Sequence, residues 1–319
     1  MAEHEQYFID EKAKKRFKAQ QIISKTITYL FLTLFAIIIL LPFFYMVITS
    51  FKKPDTYLQE VNTKTLNLFP SFSQMTIDNF KYILLGFSEG SSFAEGNFIR
   101  YFANTIFVAV CSTMITIVTT VLSAFAFARL EFRGKNLIFT LLLSTMMIPG
   151  EMMIITNYTT VTMMGGQNTY WALIVTHAVS IFYIYYLRQT FQQIPDELFL
   201  AAKVDGYGVF KYLWKVMIPI AMPTIVTIII LSAMGSWNAY IWPNLIASRQ
   251  DMRLVANGLM DLFNSLDNNS ILNGLGYDNT TTPVLRMAGS LLATLPLFIF
   301  FLCFRKYIMR GVSRSGIKG

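Results

Sequence analysis

The stretch Ile194–Pro223 reads IPDELFLAAKVDGYGVFKYLWKVMIPIAMP, and the interpretation of the whole chain depends on it. It is a charged and polar amphipathic segment set between two long apolar runs. At about thirty residues it is too long for a turn, and its regular pattern is unlike that of a flexible linker. We interpret it as a docking surface for a soluble partner.

The composition is that of a polytopic membrane protein. Of the 319 residues, 54% are hydrophobic and only 14% are charged, with a mean hydropathy of +0.49. Soluble domains average about 25% charged residues. The net charge of +8 would suggest a nucleic-acid partner in a soluble chain. Here the basic residues flank apolar runs, so they are better explained by orientation in the bilayer, and we expect no nucleic-acid partner.

Apolar runs free of charge predict an all-α fold with six transmembrane helices, since each is close to or above the ~20 residues that cross a bilayer. Alternating short segments, which would indicate a membrane barrel, are absent. Residues 1–25 are polar, and we see no cleavable signal peptide in them. The six predicted spans are Thr26–Phe51, Tyr101–Ala128, Asn136–Tyr158 (interrupted by Glu151), Thr169–Leu187, Met217–Tyr240 and Met287–Phe304.

The distribution of Lys and Arg predicts the orientation. Eighteen of the 26 lie in the N-terminal segment, the 129–135 loop, the 188–215 region and the C-terminal tail, against eight on the other face. The positive-inside rule then places both termini and Ile194–Pro223 in the cytoplasm. The predicted organisation is a cytoplasmic segment 1–25, a first helix 26–51, an external loop 52–99, a membrane core 100–305 and a cytoplasmic tail 306–319.

Two outer connections, 52–100 and 242–285, are long. The second is rich in Asn, Gly and Thr beyond residue 266. Loops of this length are usually functional or disordered. Composition leaves two interpretations open, a lid or finger that reaches an external partner and a tolerated insertion.

Glu151 is the one carboxylate inside a predicted span. An intramembrane charge is costly unless it faces a cavity or a partner. At ~1.5 Å per residue from Asn136 it would lie ~20 Å along the helix, in the outer half. Glu151 therefore either lines a pathway or extends to the interface. Prolines in or beside spans, such as Pro149 and Pro223, predict bent helices.

Within Ile194–Pro223 the residues predict a short helix, a glycine turn and a second helix. Pro195 ends the preceding helical region, and Asp196 with Glu197 begins a new helix, with negative charge near the N-terminus, where the helix dipole favours it. Gly206 and Gly208 end it. Side chains at helical spacing then lead into the fifth span: Phe210, Leu213, Trp214 and Met217. A helix lying on lipid would be more basic and more continuous.

The pattern P-x-E-L-x-x-A-A-x-x-D-G followed by P-x-x-x-P resembles the cytoplasmic EAA loop of binding-protein-dependent ABC importer permeases. Ser236-Trp237-Asn238 with Pro243, together with the tail Arg305-Lys306-Tyr307, Arg310-Gly311 and Gly316–Gly319, is similar to the carbohydrate branch of that family. The matching loop positions are Pro195, Glu197, Leu198, Ala201, Ala202, Asp205, Gly206, Pro219 and Pro223.

The loop departs from the family pattern at two positions. The glutamate after which the motif is named falls at Leu200, and the alanine usual after Asp-Gly is Tyr207. Any salt bridge made by that glutamate is absent here. The shape of the helix and its small residues still suit docking.

The resemblance implies a type I ABC importer permease fold and a subunit that pairs with a second, different permease. It implies ATPase coupling through Glu197, Ala201, Ala202, Asp205 and Gly206. A cytoplasmic ATPase dimer would bind ATP and Mg, and an external solute-binding protein would deliver the substrate across the prokaryotic cell membrane. This chain has no phosphate-binding glycine loop, and we expect it to be no enzyme and to bind no cofactor or metal.

The sequence indicates the identity of the substrate less clearly than it indicates the fold and the partners. The Ser236-Trp237-Asn238 stretch favours a sugar or oligosaccharide, with a polyol or sugar phosphate as the alternative. Candidate pathway residues are Glu151, Trp237, Asn238 and Tyr240. Aromatic side chains that would stack on sugars, or equally lie at the membrane interface, are Trp171, Tyr183, Trp237, Tyr240 and Trp242.

Two other classes remain as alternatives. A secondary transporter predicts inverted repeats and coupling carboxylates near the membrane midplane, of which only Glu151 is available. A membrane-embedded enzyme has little to use beyond His4 and His177. We expect His177 to be packed or to line a pathway. The two cysteines, Cys111 and Cys303, fall in predicted spans and are expected to be free thiols.

Overall fold

The computed structural model describes residues 2–85, 98–266, 277 and 280–313, and this part of the chain is helical throughout, without a β-strand. The predicted all-α class is therefore confirmed. The end of the basic tail, Gly316–Gly319, and most of the Asn- and Gly-rich stretch 267–279 lie outside the described residues. The helices are α1 (Ala2–Ser50), α2 (Pro54–Thr63), α3 (Asp78–Leu85), α4 (Phe98–Arg129), α5 (Lys135–Thr145), α6 (Ile154–Met163), α7 (Tyr170–Val175), α8 (Ile181–Gln192), α9 (Asp196–Val204), α10 (Val209–Tyr212), α11 (Ile218–Trp237), α12 (Ile241–Ile246), α13 (Val255–Leu266) and α14 (Thr282–Ser313).

Four stretches are helical, apolar and long enough to cross a membrane: Arg16–Ser50, Phe98–Arg129, Val209–Trp237 and Thr282–Lys306. They correspond to the first, second, fifth and sixth predicted spans. The first helix begins at Ala2. It therefore includes the N-terminal segment 1–25, which we predicted to be separate from the first helix. Polar residues continue a helix as readily as apolar ones when no proline or glycine interrupts them.

The third predicted span is not one continuous helix, and this corrects the sequence analysis. It consists of α5 and, after a 3₁₀ turn at Gly150–Met153, α6, with an angle of 86° across the break. Pro149 causes the break because it lacks an N–H and its ring excludes the preceding helical turn. Glu151 lies in that 3₁₀ turn and is exposed, so its depth cannot be taken from a continuous rise along α5.

The fourth predicted span, Thr169–Leu187, is also broken. The short helix α7 ends at Val175, and α8 starts after Ser180, whose hydroxyl accepts a hydrogen bond from the Tyr183 N–H. No proline marks this break. A capping serine is its local signal, since serine oxygens satisfy the first free N–H groups of a helix.

The helix α4 connects three hydrophobic clusters along its length. Its start packs with α3, α13 and the start of α14, and its centre packs with α7 and α12. Its end packs with α8, α9 and α11. The Ile194–Pro223 segment is thus attached to the end of α4 opposite the two outer connections.

The two outer connections contain helices that pack on this frame. Lys52 is fully buried and forms a 2.7 Å ion pair with Glu60 of α2. In the second connection, the Asn104 side-chain amide donates to the carbonyl oxygens of Asp251 and Arg253 at 2.9 and 3.1 Å. The described part of 242–285 is therefore packed against the helices. A finger that extends freely, or a loosely attached insertion, would not need these contacts.

Candidate functional site

The helix α9 is delimited by residues that the sequence singles out. Pro195 occupies its N-cap position with an extended backbone, and Asp196 and Glu197 form its first turn. At the other end the Gly206 N–H donates to the Lys203 carbonyl, and the Tyr207 N–H donates to the Ala202 carbonyl. This pair of bonds is a Schellman cap, which needs a residue in the left-handed region. Gly206 supplies it with a φ of 72°.

The second part of the segment differs from the sequence prediction. After Gly208, α10 continues into a π-helical turn at Leu213–Met217 before α11 begins. Leu213 and Met217 are buried, whereas Phe210 and Trp214 are each about two-thirds exposed. The side chains at helical spacing therefore do not all lie in the same environment, and the π turn widens the helix within this stretch.

The helix α9 is fixed to the transmembrane helices by one shared cluster. Ala202 is buried beneath it, and the ring of Phe199 lies 4.9 Å from that of Tyr212. Leu187 and Phe191 of α8 belong to the same fully buried cluster. Interiors packed in this way transmit displacement because they have little free volume. The residues Phe199 and Ala202 thus connect α9 to the cluster formed by α4, α8 and α11.

Arg129, the last residue of α4, forms a second attachment. Its side chain is only 8% exposed and forms an ion pair with Asp196. It also donates to the carbonyl oxygen of Phe191 at 3.1 Å and to that of Ile194. Arg129 thus binds the C-terminal end of α8, the connecting turn and the start of α9. In the sequence Arg129 contributes only to the predicted orientation, because no neighbouring residue indicates its partners.

The outer surface of α9 and α10 is exposed and apolar. Val204 is 89% exposed, and Leu200, Phe210 and Trp214 lie on the same segment with most of their surface accessible. Of the predicted coupling residues, Glu197, Ala201, Asp205 and Gly206 are exposed, whereas Ala202 is buried. An exposed apolar surface with a polar rim is typical of a protein interface.

A cavity of about 250 Å³ lies between α4, the break separating α7 from α8, α11 and the start of α12. Ser112 and Thr116 of α4 line it near the middle of that helix, opposite Ser232 and Ser236 of α11. Trp242 closes one side and packs edge-on against His177, with 5.4 Å between ring centroids. The expectation that His177 is packed or lines a pathway agrees with this position.

The four predicted pathway residues lie outside the lining of this cavity. Glu151 is exposed in the 3₁₀ turn, and Asn238 is exposed at the end of α11. The Trp237 indole N–H donates to the Ala293 carbonyl at 3.3 Å, and the Tyr240 carbonyl accepts from the Asn257 amide. Their role in a pathway stays a prediction. Their neighbours Ser236 and Trp242 line the cavity instead, as does Tyr183.

The titratable groups of the described residues form no cluster of three or more His, Cys, Asp and Glu side chains that would hold a metal ion. The arrangement consists of an exposed helix, a buried attachment and a cavity whose mostly apolar lining carries several hydroxyl groups. Such an arrangement suits mechanical transmission between a docked partner and an internal space.

Comparison with known proteins agrees with this arrangement. Residues 117–314 match the family described as the binding-protein-dependent transport system inner membrane component. The chain is 30% identical to the arabinooligosaccharides transport system permease protein AraQ of Halalkalibacterium halodurans, over 95% of this chain and 99% of that protein. It is 27% identical to the inner membrane ABC transporter permease protein YcjP of Escherichia coli, over 94% and 99% of the two chains.

A solved structure has the same fold. It is a bacterial ABC transporter involved in the import of the acidic polysaccharide alginate, with a TM-score of 0.76 and 22% sequence identity. The match covers 89% of this chain and 96% of the other.

Proposed function

The chain belongs to the family of binding-protein-dependent transport system inner membrane components, and from this we propose that it moves a sugar or oligosaccharide through an ATP-driven importer. Its fold is that of a type I ABC importer permease, and it is a multi-pass protein of the prokaryotic cell membrane. The observation that carries the proposal is the exposed apolar helix α9, joined by a buried cluster to the helices around the cavity.

In the proposed mechanism, α9 docks in a cytoplasmic ATPase and acts as a lever. When ATP closes the ATPase dimer, α9 moves as a rigid body because Ala202, Phe199 and Arg129 join it to α4 and α8. The displacement opens the cavity alternately to the two sides of the membrane. ATP and Mg belong to that partner, and this chain binds neither. The transmembrane channel is completed by a second, different permease.

The proposed topology has six crossings: α1, α4, the bent pair α5–α6, the broken pair α7–α8, α11 and α14. Both termini and α9 are cytoplasmic, supported by the excess of Lys and Arg on that face. An external solute-binding protein then delivers the substrate to the face that carries α2, α3 and α13.

The substrate class rests on the names of relatives and on the cavity. Relatives include permeases for arabinooligosaccharides and for polygalacturonan or rhamnogalacturonan. A polyol or sugar phosphate remains the alternative solute. A secondary transporter is the alternative class, and uptake driven by a proton or sodium gradient without ATPase would contradict our proposal.

The substitution Gly206→Trp tests the coupling role. A φ of 72° disfavours any side chain, and nothing lies within 4 Å of the position that its Cβ would take, so an indole there extends outward over the docking surface. We expect the variant to insert in the membrane normally and to lose ATP-dependent sugar uptake. Normal uptake by a membrane-inserted Gly206→Trp variant would exclude docking through this helix.

A further inference from the structure

The cavity beside His177 is built at a break in the membrane helices. The helix α7 ends at Val175, and the Ala178 carbonyl, which no helical N–H reaches, accepts a 2.9 Å hydrogen bond from the Thr119 hydroxyl of α4. Non-helical backbone at membrane depth is tolerated where it is buried in protein or lines a cavity. Substrate sites of transporters are commonly formed by such discontinuous helices near the midplane.

The cavity lies at mid-depth. Ser112 and Thr116 lie about 21 and 27 Å from the start of α4, at ~1.5 Å per residue. The 32-residue helix is about 48 Å long by the same measure. A solute in the cavity is therefore about equally far from the outer helices and from α9.

The cavity presents polar side chains that have no protein partner. Within the described part of the chain, none of these side chains hydrogen-bonds to another protein group. Of these side chains Ser112 and Thr116 are buried, and polar groups withdrawn from bulk water in this way need a ligand or an ordered water. The six residues are Ser112, Thr116, His177, Tyr183, Ser232 and Ser236.

The lining contains no Lys, Arg, Asp or Glu. A carboxylate or phosphate moved to this depth would lose its hydration without gaining a counter-charge, which is costly in a low-dielectric surrounding. Hydroxyl groups of an uncharged sugar, in contrast, both donate to and accept from serine, threonine, tyrosine and imidazole groups. The chemistry of the lining therefore selects against acidic sugars.

Trp242 gives the cavity an apolar wall of fixed orientation. Its indole N–H donates to the Ala172 carbonyl at 3.0 Å, and the side chain is 6% exposed. The C–H face of a sugar ring packs against such an aromatic surface, while its hydroxyls remain free for the opposite wall. A volume of about 250 Å³ is below the ~300–1,000 Å³ of pockets for drug-sized ligands, so it fits one ring and not an intact oligosaccharide.

We propose that this cavity is a site for one uncharged sugar ring, through which an oligosaccharide passes ring by ring. This inference rests on the proposed function, since it names the substrate class and places the contacts in this chain. It predicts that neutral saccharides are substrates and that uronic acid oligomers are not, although some relatives are named for acidic polymers.

The test uses the complete importer in proteoliposomes: this chain, the companion permease, the ATPase and the binding protein, with ATP at the ATPase side. Labelled arabinotriose and maltotriose are the neutral probes, and trigalacturonate is the acidic probe. The wild type is expected to take up a neutral probe only with ATP, and not to take up trigalacturonate.

Two substitutions remove hydroxyls from the lining with little change in volume, Thr116→Val and Ser236→Ala. Loss of one net hydrogen bond is expected to raise the KM for uptake about 2- to 10-fold. Thr120→Val is the matched control, because Thr120 lies one turn along α4, is fully buried and is not in the lining. Its KM is expected to equal that of the wild type.

A third variant, Gly235→Leu, fills the cavity. Gly235 lies in α11, and a Cβ there meets no heavy atom within 4 Å, so the added side chain occupies cavity space without a clash at its base. We expect loss of neutral sugar uptake with normal assembly of the four components.

The outcomes separate the two proposals. Unchanged KM and uptake in all three variants, with ATP-driven uptake by the wild type, would overturn the sugar site and leave the importer function standing. Uptake of trigalacturonate with a KM similar to that of the neutral probes would overturn the proposed selectivity of the site for uncharged sugars. If the wild type takes up none of the probes in an ATP-dependent manner, the proposed function itself fails.

Discussion

At the scale of single residues, Arg129 shows how burial decides the importance of a charge. Its ion pair with Asp196 is worth little, because the carboxylate is 84% exposed and such pairs contribute about 0–1 kcal/mol. Its bonds to the carbonyl oxygens of Phe191 and Ile194 are partly buried. A carbonyl left without a donor in such a position costs about 1–3 kcal/mol.

We therefore predict that Arg129→Ala uncouples the importer and that Asp196→Asn does not. The alanine variant leaves the Ile194 carbonyl oxygen without its Arg129 donor, whereas the Phe191 carbonyl keeps the Ile194 N–H. It also frees the turn before α9, so ATP-dependent uptake should fall at least about 10-fold, as expected for a loss of ~1.4 kcal/mol or more. Asp196→Asn should change uptake less than about 2-fold. Uptake and ATPase activity are measured on the same proteoliposomes.

Arg133→Ala is the control for that experiment, because Arg133 is exposed and lies in the loop that follows α4. It should behave as the wild type. An Asp196→Asn defect as large as that of Arg129→Ala would show that the ion pair, and not the carbonyl contacts, positions α9.

At the scale of elements, the sequence predicted α9 more accurately than the membrane helices on either side of it. Pro195, the acidic first turn and the Asp205-Gly206 pair are local signals, and each acts within a few residues. The π turn at Leu213–Met217 has no proline or glycine to signal it, and the break between α7 and α8 is marked only by the capping Ser180. Helical spacing alone therefore does not show that Leu213 and Met217 are buried while Phe210 and Trp214 are exposed.

The exposed face of α9 leads to a prediction at this scale. Val204→Asp places a charge on the most exposed apolar residue of the segment, where a central interface contact is worth about 2 kcal/mol or more. We expect the ATPase to co-purify at least about 10-fold less with this variant. The amount is measured by quantitative immunoblotting after affinity purification of the permease.

Leu66→Asp is the matched control, since Leu66 is 62% exposed in the first outer connection and cannot reach a cytoplasmic partner in the proposed topology. Its co-purification should equal that of the wild type. Equal retention of the ATPase by Val204→Asp would place the docking surface elsewhere.

At the scale of the whole molecule, the proposed topology places α9 and the outer helices α2, α3 and α13 on opposite faces of the membrane. In a chain with Cys111→Ser and Cys303→Ser, a single cysteine is introduced by Lys203→Cys in α9 or by Lys81→Cys in α3. A membrane-impermeant thiol reagent should label the first only in inside-out vesicles and the second only in right-side-out vesicles. Both replaced lysines lie on exposed surface.

Labelling of both cysteines from the same side would contradict the six-crossing topology, since an odd number of crossings separates α3 from α9. If α9 is labelled as expected and Lys81→Cys is not, then α4 or one of the pairs α5–α6 and α7–α8 does not cross. The experiment thus tests the orientation that the Lys and Arg distribution predicts.

The sequence by itself determined the all-helical class, the long apolar helices α1, α4, α11 and α14, and the helix α9 bounded by Pro195 and Gly206. Each follows from hydropathy summed along a helix or from caps that act within one turn. It did not determine the break before Ser180, the contacts of Arg129 or the cavity. Those depend on residues from α4, α8 and α11 that lie far apart in the chain, and only their packing in the folded protein brings these residues together.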